Sequence, residues 1–168
     1  MVDAVDLIAE QWRHERPDMA DSLDAVHVLG RIHRMQFVFD QHYKMLSDDF
    51  GVNAGEFDML FTLLRTGPPY ELTAGSFLKA AMVTSGAMTN RIDRLEAKGL
   101  VQRTRDASDR RAVRISLTNK GKDVADKAIA AHLQDYERIL AVLSPDEREV
   151  IASCLRKILV DQGDTSLS

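Results

Sequence analysis

In immediate succession, residues 84–118 read as a helix, a glycine stop, a strand, a polar turn, a second strand and the cap of a further helix. Few folds accommodate that order. Met88, Ile92 and Leu95 recur at helical spacing between Thr84 and Lys98, and Gly99 stands where a helix ends on a left-handed residue. Val101–Arg105 and Ala112–Leu117 then suit short strands. In the second, Val113, Ile115 and Leu117 alternate with Ala112, Arg114 and Ser116, the pattern of a half-buried strand. The run Asp106-Ala107-Ser108-Asp109-Arg110 is the polar turn between them, and Thr118 caps a helix reaching about Leu143.

The rest of the chain is helical in pattern. Residues 5–16 form a short leading helix stopped by Pro17. From Asp21 to Leu46, apolar residues spaced by three and four mark one face of a long helix, and Asp48-Asp49-Phe50-Gly51-Val52 interrupts it. Asn53 with Glu56 makes a capping box for a helix bearing Phe57, Leu60, Phe61 and Leu64, which ends at Thr66-Gly67-Pro68-Pro69. A short helix starts near Thr73. Ser144-Pro145-Asp146-Glu147 opens a last helix with Val150, Ile151, Leu155, Ile158 and Leu159; Cys154 is expected there as a small buried hydrophobe. The expected fold is mainly α with a small β-hairpin. It divides into N-terminal helices (1–52), a helix-turn-helix unit with its hairpin wing (53–118) and C-terminal helices (119–168). The flanking helices carry more apolar surface than the central unit can cover, so they are expected to form the dimerisation region of a two-fold homodimer.

Charge is distributed unevenly. The chain is acidic overall, with a formal net charge of −4, yet residues 84–122 hold ten Lys/Arg against four Asp/Glu. A polyanion is attracted to that segment and repelled elsewhere, which sets orientation as well as affinity. One cysteine rules out an internal disulfide framework, no apolar run approaches membrane-spanning length, and the acidic start is unlike a signal peptide. A cytoplasmic protein without membrane contact is expected.

These features point to double-stranded DNA. A helix-turn-helix presents the start of its second helix to base edges in the major groove. On the 84–98 helix, Gly86 and Asn90 face away from the apolar stripe, flanked by Ser85, Thr89 and Arg94. Small polar residues permit close approach, and Asn can bond adenine through two atoms. Arg103, Arg110 and Arg111 lie on or beside the turn, where arginines suit a narrow minor groove, and Asp109 can orient a guanidinium.

The run Val83–Val101, the turn Asp106-Ala107-Ser108-Asp109-Arg110-Arg111 and the entry Leu117-Thr118-Asn119-Lys120-Gly121 resemble the MarR family of bacterial regulators. The resemblance implies a winged-helix dimer on a pseudo-palindromic operator, usually released by a small ligand. It implies that Ser85, Thr89, Asn90 and Arg94 face the major groove and nearby phosphates, and that Arg111 enters the minor groove with Asp109 orienting it. The usual proline after the first wing aspartate is replaced by Ala107. Trp12, the Gly55-Glu56-Phe57-Asp58 run and Arg91 are similar to the branch that senses urate or tricarboxylate-type anions. That similarity implies a ligand pocket of Trp12, Asp58, Arg91 and a histidine, taken as His33 with His27 and His42 as rivals. Read from the residues, Arg91 lies at the edge of the apolar stripe and needs a partner, which Asp58, a ligand anion or a DNA phosphate supplies.

No nucleotide, hydrolase or zinc-protease motif is present, and the histidines lack metal-site spacing, so no enzyme activity, cofactor or metal is expected. The alternative is a ligand-binding or protein-interaction dimer that keeps the fold without binding DNA; the wing arginines disfavour it.

Overall fold

The computed structural model describes residues 2–80, 85–105 and 112–166. In chain order these form α1 (Ala4–Glu15), a 3-10 turn (Pro17–Ser22), α2 (Asp24–Phe50), α3 (Ala54–Arg65), β1 (Glu71–Thr73), α4 (Ala74–Ala80), α5 (Ser85–Ala97), β2 (Val101–Arg105), β3 (Val113–Leu117), α6 (Asn119–Leu140) and α7 (Pro145–Asp161). The chain separates into two compact units, Met1–Met45 and Leu46–Ser168.

In the first unit, Asp3 and Asp6 close a capping box at the start of α1, and Val5 and Ala9 are buried. α1 lies close against α2 at Gly30, where a Cβ would sit 3.1 Å from a Val5 methyl. Arg31 ties the helices together by donating to Asp3 (2.9 Å) and Asp6 (2.8 Å).

In the second unit, three antiparallel strands form a sheet in the order β1-β3-β2, with Leu72 opposite Ile115 and Arg103 opposite Ile115 on the other side. Its core combines Phe57, Met59, Leu60 and Leu63 of α3, Phe77, the inward stripe Met88, Ile92 and Leu95 of α5, Ile115 of β3, and Ala125 and Ala128 of α6.

Three features depart from expectation. α2 runs on to Phe50, through the acidic pair Asp48-Asp49, and stops only at Gly51 with φ 65°. Acids near a helix C-terminus oppose the macrodipole, but Phe50 packs edge-on to Phe57 (6.1 Å between ring centroids), which holds the last turn in place. β1 was not foreseen, because three residues show no alternation; Thr73 instead bonds the amide of Ser76 as α4 begins. Cys154 is exposed rather than buried, since α7 has no buried residue at all in the single chain.

Candidate nucleic-acid interface

The two ends of α5 behave differently. At its N-terminal half Gly86, Thr89 and Asn90 are exposed, opposite the buried Met88 and Ile92. Ser85 is its first residue. Among the described residues, nothing lies within 4 Å of a Cβ added at Gly86, so close approach is open at that position.

The C-terminal half is tied into the unit from several elements. Glu56 on α3 is completely buried. Its carboxylate accepts from the backbone N–H of Asn53 (3.1 Å), from Arg94 Nε (2.9 Å) and from Lys98 Nζ (2.6 Å). Lys98 also donates to the Gly51 carbonyl (2.8 Å). From the other side Arg103 on β2 pairs with both Asp93 and Glu96, and its backbone N–H reaches Glu96 at 3.2 Å. Lys120 on α6 caps the helix end by donating to the Lys98 carbonyl (2.8 Å). The sheet is tied as well: Arg114 on β3 donates to Glu71 on β1 at 2.9 Å.

Just beyond, Thr118 donates its hydroxyl to the Gly99 carbonyl (2.7 Å) and accepts the Gly121 amide (2.9 Å). A Cβ at Gly121 would overlap the Leu100 carbonyl oxygen, so the first turn of α6 rests directly on the chain that leaves α5. The Leu-Thr-x-x-Gly entry thus has a steric meaning: threonine caps, and glycine admits the neighbouring backbone.

Burial alone would push the Glu56 pKa up, but Lys98, the Asn53 amide and Arg94 outweigh it and hold the carboxyl below its ordinary 4.5. A depressed carboxyl pKa contributes stability that is present above the unfolded value and lost as pH falls through the folded one. Thermal stability should therefore decline as pH drops below about 4.5, and Glu56→Gln should flatten that decline. Melting curves across pH 3–7 check this; parallel curves for the two proteins would remove Glu56 from the acid response.

Of the residues expected to meet DNA, Gly86, Thr89 and Asn90 share one exposed surface, whereas Arg94 and Arg103 have intramolecular partners. The side chain of Ser85, and Asp109, Arg110 and Arg111 entirely, lie outside the described residues. Arg105 is exposed at the end of β2.

Of the expected ligand residues, Trp12 and His33 belong to the first unit, and both are exposed; Asp58 and Arg91 belong to the second. The Arg91 guanidinium lies over Gly55, where any side chain would collide with it. Crowding desolvates the Asp58 carboxyl and raises its pKa, with Arg91 and Arg65 pulling the other way. The rival His27 lies 3.5 Å from Asp6 and 3.1 Å from Arg13, committed to the α1–α2 junction, and His42 is buried. Sequence reasoning recognised Glu56 only as a capping residue. Its bonds to Arg94 and Lys98 span 38 and 42 residues, and no local pattern signals them.

A helix-turn-helix with a β-hairpin packed behind its second helix defines a winged-helix protein. The MarR family model matches residues 52–113. The regulator PecS of Dickeya dadantii is 31% identical over 151 residues, covering 90% of each chain. MarR from E. coli, in the crystal structure of a mutant complexed with operator DNA, superimposes with a TM-score of 0.65 at 27% identity, covering 78% of this chain and 93% of that one. The organohalide-sensing regulator RdhR, bound to 2,4-dichlorophenol, shares the fold with a TM-score of 0.71 at 20% identity, covering 80% of this chain and 79% of its own. The chain belongs to the MarR family of transcriptional regulators.

Proposed function

We propose that this chain is a sequence-specific DNA-binding repressor that acts as a homodimer on a pseudo-palindromic operator and is released by a small anionic or aromatic ligand. One observation carries the DNA reading. The exposed surface of Gly86, Thr89 and Asn90 sits on a helix anchored from α3, β2 and α6, as a rigid base-reading element requires. In this reading Ser85 joins that surface, and Arg110 and Arg111, oriented by Asp109, follow the minor groove. The uncovered Val150, Ile151, Ile158 and Leu159 of α7 support pairing of two copies. The operator complex of the E. coli relative supports the partner.

Fluorescence anisotropy with DNA from upstream of the protein's own gene tests the reading. Specific binding with a Kd tighter than about 10⁻⁸ M, at least about a thousandfold tighter than a scrambled duplex, is the expected result. No sequence preference at moderate salt would overturn it.

Arg91 above Gly55, with the raised Asp58 carboxyl on the same α3, supports an anion-responsive site at the base of α5. Gly55→Ala should fold normally, because the displaced atoms are the end of a flexible side chain, and should lose the thermal shift that urate, citrate or aconitate gives the parent protein. A parent protein unmoved by any of these, or by phenolic acids, would remove the ligand reading and leave DNA binding standing.

A further inference from the structure

We propose that Glu56 is a specificity-determining positioning residue. Its buried carboxylate fixes the pose of α5 and withholds Arg94 and Lys98 from the DNA backbone, so that the helix meets DNA through Gly86, Thr89 and Asn90. This rests on the DNA-binding reading above.

The case begins with a comparison inside the molecule. Glu147 closes a capping box at the start of α7 in the same way, accepting the Ser144 amide at 2.8 Å, and remains exposed. Capping alone therefore does not require burial. Glu56 caps α3 and is also wholly covered, with 0% of its side chain exposed, whereas its partners Arg94 and Lys98 keep 54% and 38%. The anion needs the cations, because a covered carboxylate without them bears a heavy desolvation cost. The cations do not need the anion, because water reaches both. Glu56 is thus the fixed point, and Arg94 on α5 and Lys98, four positions on and just past the last residue of α5, are drawn onto it. A turn of the helix about its axis, or a slide along α3, breaks both bonds together.

Charge supplies the second consequence. Non-specific affinity for duplex DNA grows with each free cation that displaces a counterion from the phosphates. Two cations on the recognition helix itself would bind any sequence. Glu56 neutralises one of them and shares the other, and Asp93 and Glu96 do the same for Arg103. The helix carrying the base-reading residues is thereby relieved of much of its sequence-independent attraction.

The test uses the full chain, the upstream duplex and a scrambled duplex of equal composition, titrated across a range of NaCl concentrations. Glu56→Gln keeps the shape and removes the charge. Its specific affinity should fall about tenfold, its affinity for scrambled DNA should rise several-fold, and its salt slope should steepen by about one per cation released. Equal changes in both affinities with an unaltered slope would overturn the proposal. Should Glu56→Gln not fold, Lys98→Met gives the answer from the exposed side. The proposal expects a lower ratio of specific to scrambled affinity at an unchanged slope. A slope shallower by about one would make Lys98 a phosphate contact and overturn the proposal. A parent protein without preference for the upstream duplex defeats both readings; a preference that survives both substitutions defeats only this one.

Discussion

Gly121→Ala should lower stability by about 3 kcal/mol, reducing Tm by roughly 10 °C for a chain of this size. The added Cβ would overlap the Leu100 carbonyl oxygen and lie 2.7 Å from the carbonyl carbon and 3.1 Å from Cα. All three are backbone atoms, so no rotamer change relieves the clash. That carbonyl already accepts the Thr118 amide at 3.1 Å, and the Thr118 hydroxyl accepts the Gly121 amide at 2.9 Å. Making room means lifting the first turn of α6, which breaks the threonine cap and pulls β3 from the exit of α5. Gly75→Ala is the control, because among the described residues nothing lies within 4 Å of its would-be Cβ on α4. It should be neutral or slightly stabilising, since alanine suits a helix better by up to about 1 kcal/mol. Urea or thermal unfolding checks both; a Gly121→Ala protein within about 2 °C of the parent would refute the steric account of the junction.

The second large effect is on recognition and leaves stability alone. Asn90→Ala should weaken binding to the operator by about 1–3 kcal/mol, roughly fivefold to 150-fold, because a side-chain amide bonded to a base edge carries that much discrimination. Asn90 is exposed, so Tm should hardly move. Affinity for scrambled DNA and the salt slope should also be unchanged, since a neutral side chain releases no counterion. Anisotropy on both duplexes separates these quantities. Equal weakening on the two duplexes would mean that Asn90 bonds phosphate and does not read sequence.

Much of this architecture was legible before any coordinates, and the reasons are local. Met88, Ile92 and Leu95 announce their helix by spacing, and all three are buried. Gly99 marks its end and adopts φ 69°. β2 spans Val101–Arg105, the bounds expected of it, and Asn53 and Ser144 cap the helices their side chains suit. What escaped depends on distant partners. β1 exists because β3 offers it an edge, and three residues carry no period of their own. α2 outlasts its acidic C-terminal residues because Phe57 lies beneath Phe50. In the site, the exposed polar start of α5 followed from the helical wheel. The roles of Arg94 and Arg103 did not, because a wheel shows which way an arginine faces and not which carboxylates wait there. Glu56, Asp93 and Glu96 give these two arginines ion-pair partners within the chain.

The central claim is that the N-terminal half of α5 lies in the major groove while its other half is committed to the protein. Methylation interference with the full chain on its upstream DNA tests this directly, because dimethyl sulfate marks guanine N7 on the major-groove edge. Two clusters of interfering guanines, centred about 10 base pairs apart, are the result the account predicts. Interference confined to the minor groove, or binding indifferent to guanine N7 methylation throughout, would contradict it.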